Sequence, residues 1–144
     1  MCRSSLFAIA LMVATPAFGA GHLVVESGWI RTPPPGAMML AGYATLHNVG
    51  DSAVVVTGAE SADFGSVSLH QSVQKDGVEH MQALGDVSIK PGERITFAPN
   101  GRHFMLMQPK KELRSDESVP IQITTKLGDD VIGIFVVSDG PPKP

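Results

Sequence analysis

The stretch His70 to Met107, HQSVQKDGVEHMQALGDVSIKPGERITFAPNGRHFMLM, decides how this chain is to be read. Turn signals punctuate it at Asp76-Gly77, Pro91-Gly92 and Pro99-Asn100-Gly101. Residues 67–73 and 78–84 flank the first of these. Asp-Gly favours a two-residue hairpin loop, because both loop positions need a positive φ. With Asp76 and Gly77 as that loop, Lys75 pairs with Val78, Ser72 with Met81 and His70 with Ala83. His70 and Met81 then share a face as diagonal neighbours, roughly 7–8 Å apart at the backbone. Val67, Leu69 and Val73 take the other face, the natural core side, and His80 goes with them. In Arg102 to Met107 the same alternation puts His103, Met105 and Met107 on one face and Phe104 and Leu106 on the other.

The pattern extends outward in both directions. Leu23 to Ile30 reads as a first strand, ended by Pro33-Pro34-Pro35-Gly36. Gly42 to Asn48 alternates Tyr43, Thr45 and His47 against Ala44 and Leu46, and Val54 to Gly58 is a buried-type run. Val87–Lys90 and Arg94–Ala98 follow the 70s hairpin, and Val119–Lys126 and Val131–Val137 form a last one. No amphipathic helix is evident; a helical turn fits only around Ser61 to Gly65. Short strands at this spacing predict an all-β, single-domain Greek-key sandwich or small barrel. Trp29 reads as a core or edge anchor, Met38 and Met39 as gap-filling packing, and His47 as a structural or surface histidine. The charged segment from Lys110 to Glu117 reads as a solvated face.

At 144 residues, 43% of them hydrophobic, the chain suits one domain with a sizeable core. A net charge of −3 without a basic run argues against nucleic-acid binding. Residues 1–19 read as a cleaved signal peptide: Arg3, then the apolar run Leu6 to Val13, then Ala17 and Gly19 as small residues before the cut. That run is too short for a stable membrane insertion. The expected address is the periplasm, as a soluble exported protein. Residues 20–138 form the expected domain and 139–144 a short Pro-rich disordered tail. The one cysteine, Cys2, falls inside the leader and lacks the preceding apolar run of a lipid-attachment site. The mature chain would then have no disulfide and no thiolate ligand.

His70 to Met107 holds three of the five histidines and three of the seven methionines. Imidazole and thioether are neutral donors and thioether is soft, so the set suits Cu(I) far better than Ca²⁺ or Mg²⁺. Met107 lies on the same face as a secondary candidate. A cut after Gly19 would also leave Ala20-Gly21-His22 at the new terminus. Its amine, two amides and the His22 imidazole would suit square-planar Cu(II).

The order His70, ten residues, Met81, twenty-one residues, His103, one residue, Met105 resembles the copper-binding signature of the periplasmic copper chaperone family called PCuAC. Trp29-Ile30-Arg31 before the proline loop, Asp76-Gly77-Val78 before Met81, and Gly101 to Met107 resemble that family too. The resemblance implies a cupredoxin-like β-sandwich holding Cu(I) at the surface on His70, Met81, His103 and Met105. It implies delivery to a copper acceptor, either cytochrome c oxidase subunit II or a thioredoxin-like assembly factor of the Sco type. The His- and Met-rich extension of some members has no counterpart in Ser138 to Pro144.

Other readings are weaker. A blue-copper electron carrier needs a cysteine ligand that the mature chain would lack. No nucleophile–base pairing, paired-carboxylate motif or His-Glu-x-x-His is present, so the chain does not read as an enzyme. A copper-sequestering tolerance protein, or a generic exported β-sandwich binding module, is the alternative.

Overall fold

A computed structural model describes residues 20–143; the expected signal peptide, residues 1–19, lies outside the described residues. The strands are β1 (Leu23–Arg31), β2 (Met39–Asn48), β3 (Val54–Glu60), β4 (Phe64–Lys75), β5 (Val78–Ala83), β6 (Val87–Ile89), β7 (Arg94–Phe97), β8 (Arg102–Pro109), β9 (Ser118–Thr125) and β10 (Val131–Ser138). The all-β single domain expected from the alternation is the architecture that forms.

Seven strands run side by side in the order β4-β8-β2-β1-β10-β9-β3. The ring closes where Ala59 of β3 pairs with Val67 of β4. β1 and β10 run parallel; the other pairs are antiparallel. β5 and β6 extend beyond the ring, and β7 pairs with the end of β2. Closure of this kind removes most open strand edges.

Alternation sorts the side chains. Ile30, Leu46, Leu106, Ile121 and Val137 are fully buried inside. Phe104 stacks on Phe97 at 4.7 Å and meets Phe135 edge-on at 5.4 Å. Each such aromatic contributes about 1.5–3 kcal/mol by burial. β1 bulges after Glu26, with Ser27 at φ 53°. A Cβ on Gly28 would stand 2.7 Å from the Ile134 carbonyl oxygen, so the close approach of β1 to β10 requires glycine there.

Trp29 is the anchor expected, buried with its ring against that of Tyr43 at 4.7 Å. Several other expectations change. Ser61 to Gly65 makes no helical turn. The Phe64 N–H donates to the Ser61 carbonyl across a tight turn, and β4 starts at once. Met38 and Met39 fill no gap; they are 61% and 55% exposed. Leu113 is buried within the charged Lys110–Glu117 segment, so one face of that loop is anchored. Asn48, the last residue of β2, is polar yet fully buried. Its amide donates to the carbonyls of Ser52 and Ile89 at 2.7 and 2.9 Å and accepts from Gly50 and His22.

Candidate metal centre

The Asp76-Gly77 loop forms as its sequence requires, with φ of 53° and 75°. It fixes the β4–β5 register: Lys75 opposite Val78, Ser72 opposite Met81, His70 opposite Ala83. On its other side β4 pairs with β8, which sets His70 directly against His103 and Ser68 against Met105. Leu69, Phe104 and Leu106 turn inward, so His70, His103 and Met105 face out.

His70 is therefore the hub. His103 is its direct cross-strand neighbour, while Met105 and Met81 are its diagonal neighbours on β8 and β5. Direct neighbours lie about 4.5–5.5 Å apart and diagonal ones about 7–8 Å, within reach of long side chains. The imidazole rings are nearly parallel, at 27°, with centroids 6.0 Å apart.

The electrostatics favour neutral donors. The His103 Nδ1–H donates to the Gly101 carbonyl at 3.2 Å, since a carbonyl can only accept. In the neutral ring that leaves Nε2 with the lone pair, and that atom is buried without a partner. His70 Nε2 lies 3.0 Å from Ser68 Oγ, and its Nδ1 is likewise buried and unpartnered. Burial holds the His70 imidazole below its ordinary pKa, and the neighbouring His103 pushes the same way. Two orphaned ring nitrogens side by side are costly unless something accepts their lone pairs. Among the described residues no group of three His, Cys, Asp or Glu gathers. The donors beside the pair are thioethers, which suit a soft ion.

The four predicted donors differ in burial. His103 is 6% exposed, Met105 is half-buried and Met81 is 61% exposed. β5 is exposed throughout and has a sheet neighbour on one side only. His80 lies opposite Val73, on the face away from His70, and is exposed. Met107 lies beyond Met105 on the same strand face, opposite Ser66 rather than a histidine. His47 is bonded to Glu26 at 3.0 Å and has a structural role.

His22 lies apart from this group, with an exposed side chain. Its amide N–H donates to Asn48 Oδ1, and its carbonyl accepts from Val49. An N-terminal Cu(II) site would have to deprotonate that amide, so the docked segment gives this reading no support. Ser68 and the Gly101 carbonyl, which orient the two imidazoles, were missed in the sequence. Their only signal was position: each lies two residues before a histidine, Ser68 within β4 and Gly101 in the turn before β8.

The chain and its fold have known counterparts. Residues 23–133 match the family described as "Putative lipoprotein LpqE-like". The chain belongs to that family. It is 32% identical over 110 residues to "Putative lipoprotein Lxx21020" of Leifsonia xyli subsp. xyli, covering 76% of this chain and 65% of that one. It is 28% identical over 105 residues to "Uncharacterized protein RP573" of Rickettsia prowazekii, covering 70% and 57%. The matched region thus spans less than two thirds of either relative.

Among solved structures the fold matches PCuAC domains. The apo PCuAC domain from PmoF1 superposes with TM-score 0.67 at 24% identity, covering 84% of this chain and 100% of that one. The copper-bound PCuAC domain from PmoF2 gives 0.67 at 22%, covering 84% and 99%. CuI-DR1885 from Deinococcus radiodurans gives 0.63 at 24%, covering 81% and 79%.

Proposed function

We propose that this chain is an exported copper carrier that binds Cu(I) on His70, Met81, His103 and Met105. It passes the ion by ligand exchange to a copper-accepting protein. The observation that carries this reading is the pair of buried, unpartnered imidazole nitrogens with thioether-bearing neighbours on the same face. The copper named in the PmoF2 and DR1885 structures supports it.

The four donors carry no charge, so bound Cu(I) keeps its own. Oxidation to Cu(II), which favours tetragonal N/O sets, would loosen the site. The burial gradient gives an order of exchange. An incoming ligand displaces the exposed Met81 first, then Met105, while His103, tethered to Gly101, leaves last. The acceptor class is cytochrome c oxidase subunit II or a thioredoxin-like assembly factor of the Sco type.

The lipoprotein names within the family support export, and the periplasm is the address we propose. Among the described residues no helix is long and apolar enough to cross a membrane. The role is carriage rather than catalysis, and turnover by copper-loaded protein would overturn that. X-ray absorption on the Cu(I)-loaded chain tests the ligand set: mixed nitrogen and sulfur donors are expected, and an all-nitrogen shell would refute the assignment.

A further inference from the structure

The outer face holds more thioethers than the proposed site uses. Met39 of β2 pairs directly with Met107 of β8. Their neighbours Leu40 and Leu106 point into the core, so both methionines face out. Met107 follows Met105 by two residues, about 6.6 Å along the strand. The row Met39–Met107–Met105 thus runs into the His70–His103 pair without a break.

Three features argue against simple packing. Met39 is 55% exposed and its neighbour Met38 61%, although methionine is ordinarily a core-filling residue. The backbone beneath them is fixed, because the Gln108 N–H donates to the Met38 carbonyl at 2.8 Å. The residue opposite Met107 on the other flank is Ser66, so no carboxylate faces the pair across β4. Thioether donors with no carboxylate across β4 disfavour a hard divalent cation and suit a soft monovalent one.

We infer that Met39 and Met107, with Met105 shared, form a second and weaker thioether-only station for Cu(I). Met105 belongs to both stations, so an ion can step along the row with one ligand held throughout. The station's existence is independent of the proposed histidine site; its use as an approach to that site rests on the proposed function.

The test is a titration of the full mature chain with Ag(I), a redox-inert soft probe, followed by methionine methyl NMR. A first equivalent is expected to shift the Met81 and Met105 methyls. A further, weaker step is expected to shift Met39 and Met107. The double variant Met39→Leu, Met107→Leu conserves volume at exposed or half-buried positions and should fold unchanged, as its amide spectrum will report. It is expected to lose the second step and keep the first. Conversely, His70→Ala with His103→Ala is expected to lose the first and still shift Met39 and Met107. Motionless Met39 and Met107 methyls after the first step saturates, or a second step that survives the double leucine variant, would overturn the station. A first step that survives the histidine variants would overturn the histidine site instead.

Discussion

The outer face of the sheet holds histidines in two places, built in opposite ways. At one end of β2, His47 bonds the Glu26 carboxylate, which Arg94 also contacts at 3.3 Å. At the other centre, His70 stands against His103, their ring contacts are Ser68 and the Gly101 carbonyl, and each ring keeps a buried nitrogen without a partner. The first arrangement is complete by itself. The second leaves two buried ring nitrogens with nothing to bond, on a face that also carries thioethers. Histidine content alone does not mark a metal site; the difference lies in whether the surrounding strands supply a proton acceptor or leave the ring nitrogen free.

Substitutions at the two places should therefore behave differently. The largest effect is expected from His103→Ala. Removing an outer partner of a ligand already costs about 10–100-fold in metal affinity, so removing the ligand should cost more than about 100-fold. His47→Ala should leave affinity unchanged. A Cu(I) competition titration checks both, and equal losses would erase the distinction.

Asn48→Ala separates scaffold from site. It deletes a buried amide that bonds four backbone groups, so stability should fall by about 2–4 kcal/mol. Denaturant unfolding measures this, and Cu(I) affinity of the folded fraction should not change.

Smaller effects follow within the site. Ser68→Ala removes the hydroxyl beside His70 Nε2 and should weaken Cu(I) by about 10-fold, the low end for an orienting partner. Met81→Leu should speed Cu(I) transfer to a chelator, with stability held within about 0.5 kcal/mol because the residue is exposed. Slower transfer would reverse the proposed order of ligand release.

The smallest effect concerns pH at the satisfied cluster. Hydrogen bonds from His47 and then Arg94 hold the Glu26 carboxyl below its ordinary value of 4.5. A depressed carboxyl contributes stability above its unfolded pKa and loses it as pH falls through the folded pKa. Glu26→Gln should slightly flatten the acid limb of the stability profile. Because the group is solvent-exposed, the change should be small and salt-sensitive. A profile identical to the wild type would show that the cluster adds nothing.

Local chemistry in the sequence determined a large part of this protein. Asp76-Gly77 dictates its own turn geometry, and the turn dictates the β4–β5 register, so the diagonal placement of His70 and Met81 was readable from spacing. Period-two alternation likewise assigned Phe104 and Leu106 to the core and His103 and Met105 to the outside. Tertiary structure alone decided the rest. That β4 lies beside β8 with His70 against His103, that β2 brings Met39 to Met107, and that Asn48 is buried as a pin are outcomes of pairings between distant segments. Such pairings have no turn to set them. Their register is chosen by which side chains fill the shared core, and that choice is made only when all the strands pack together.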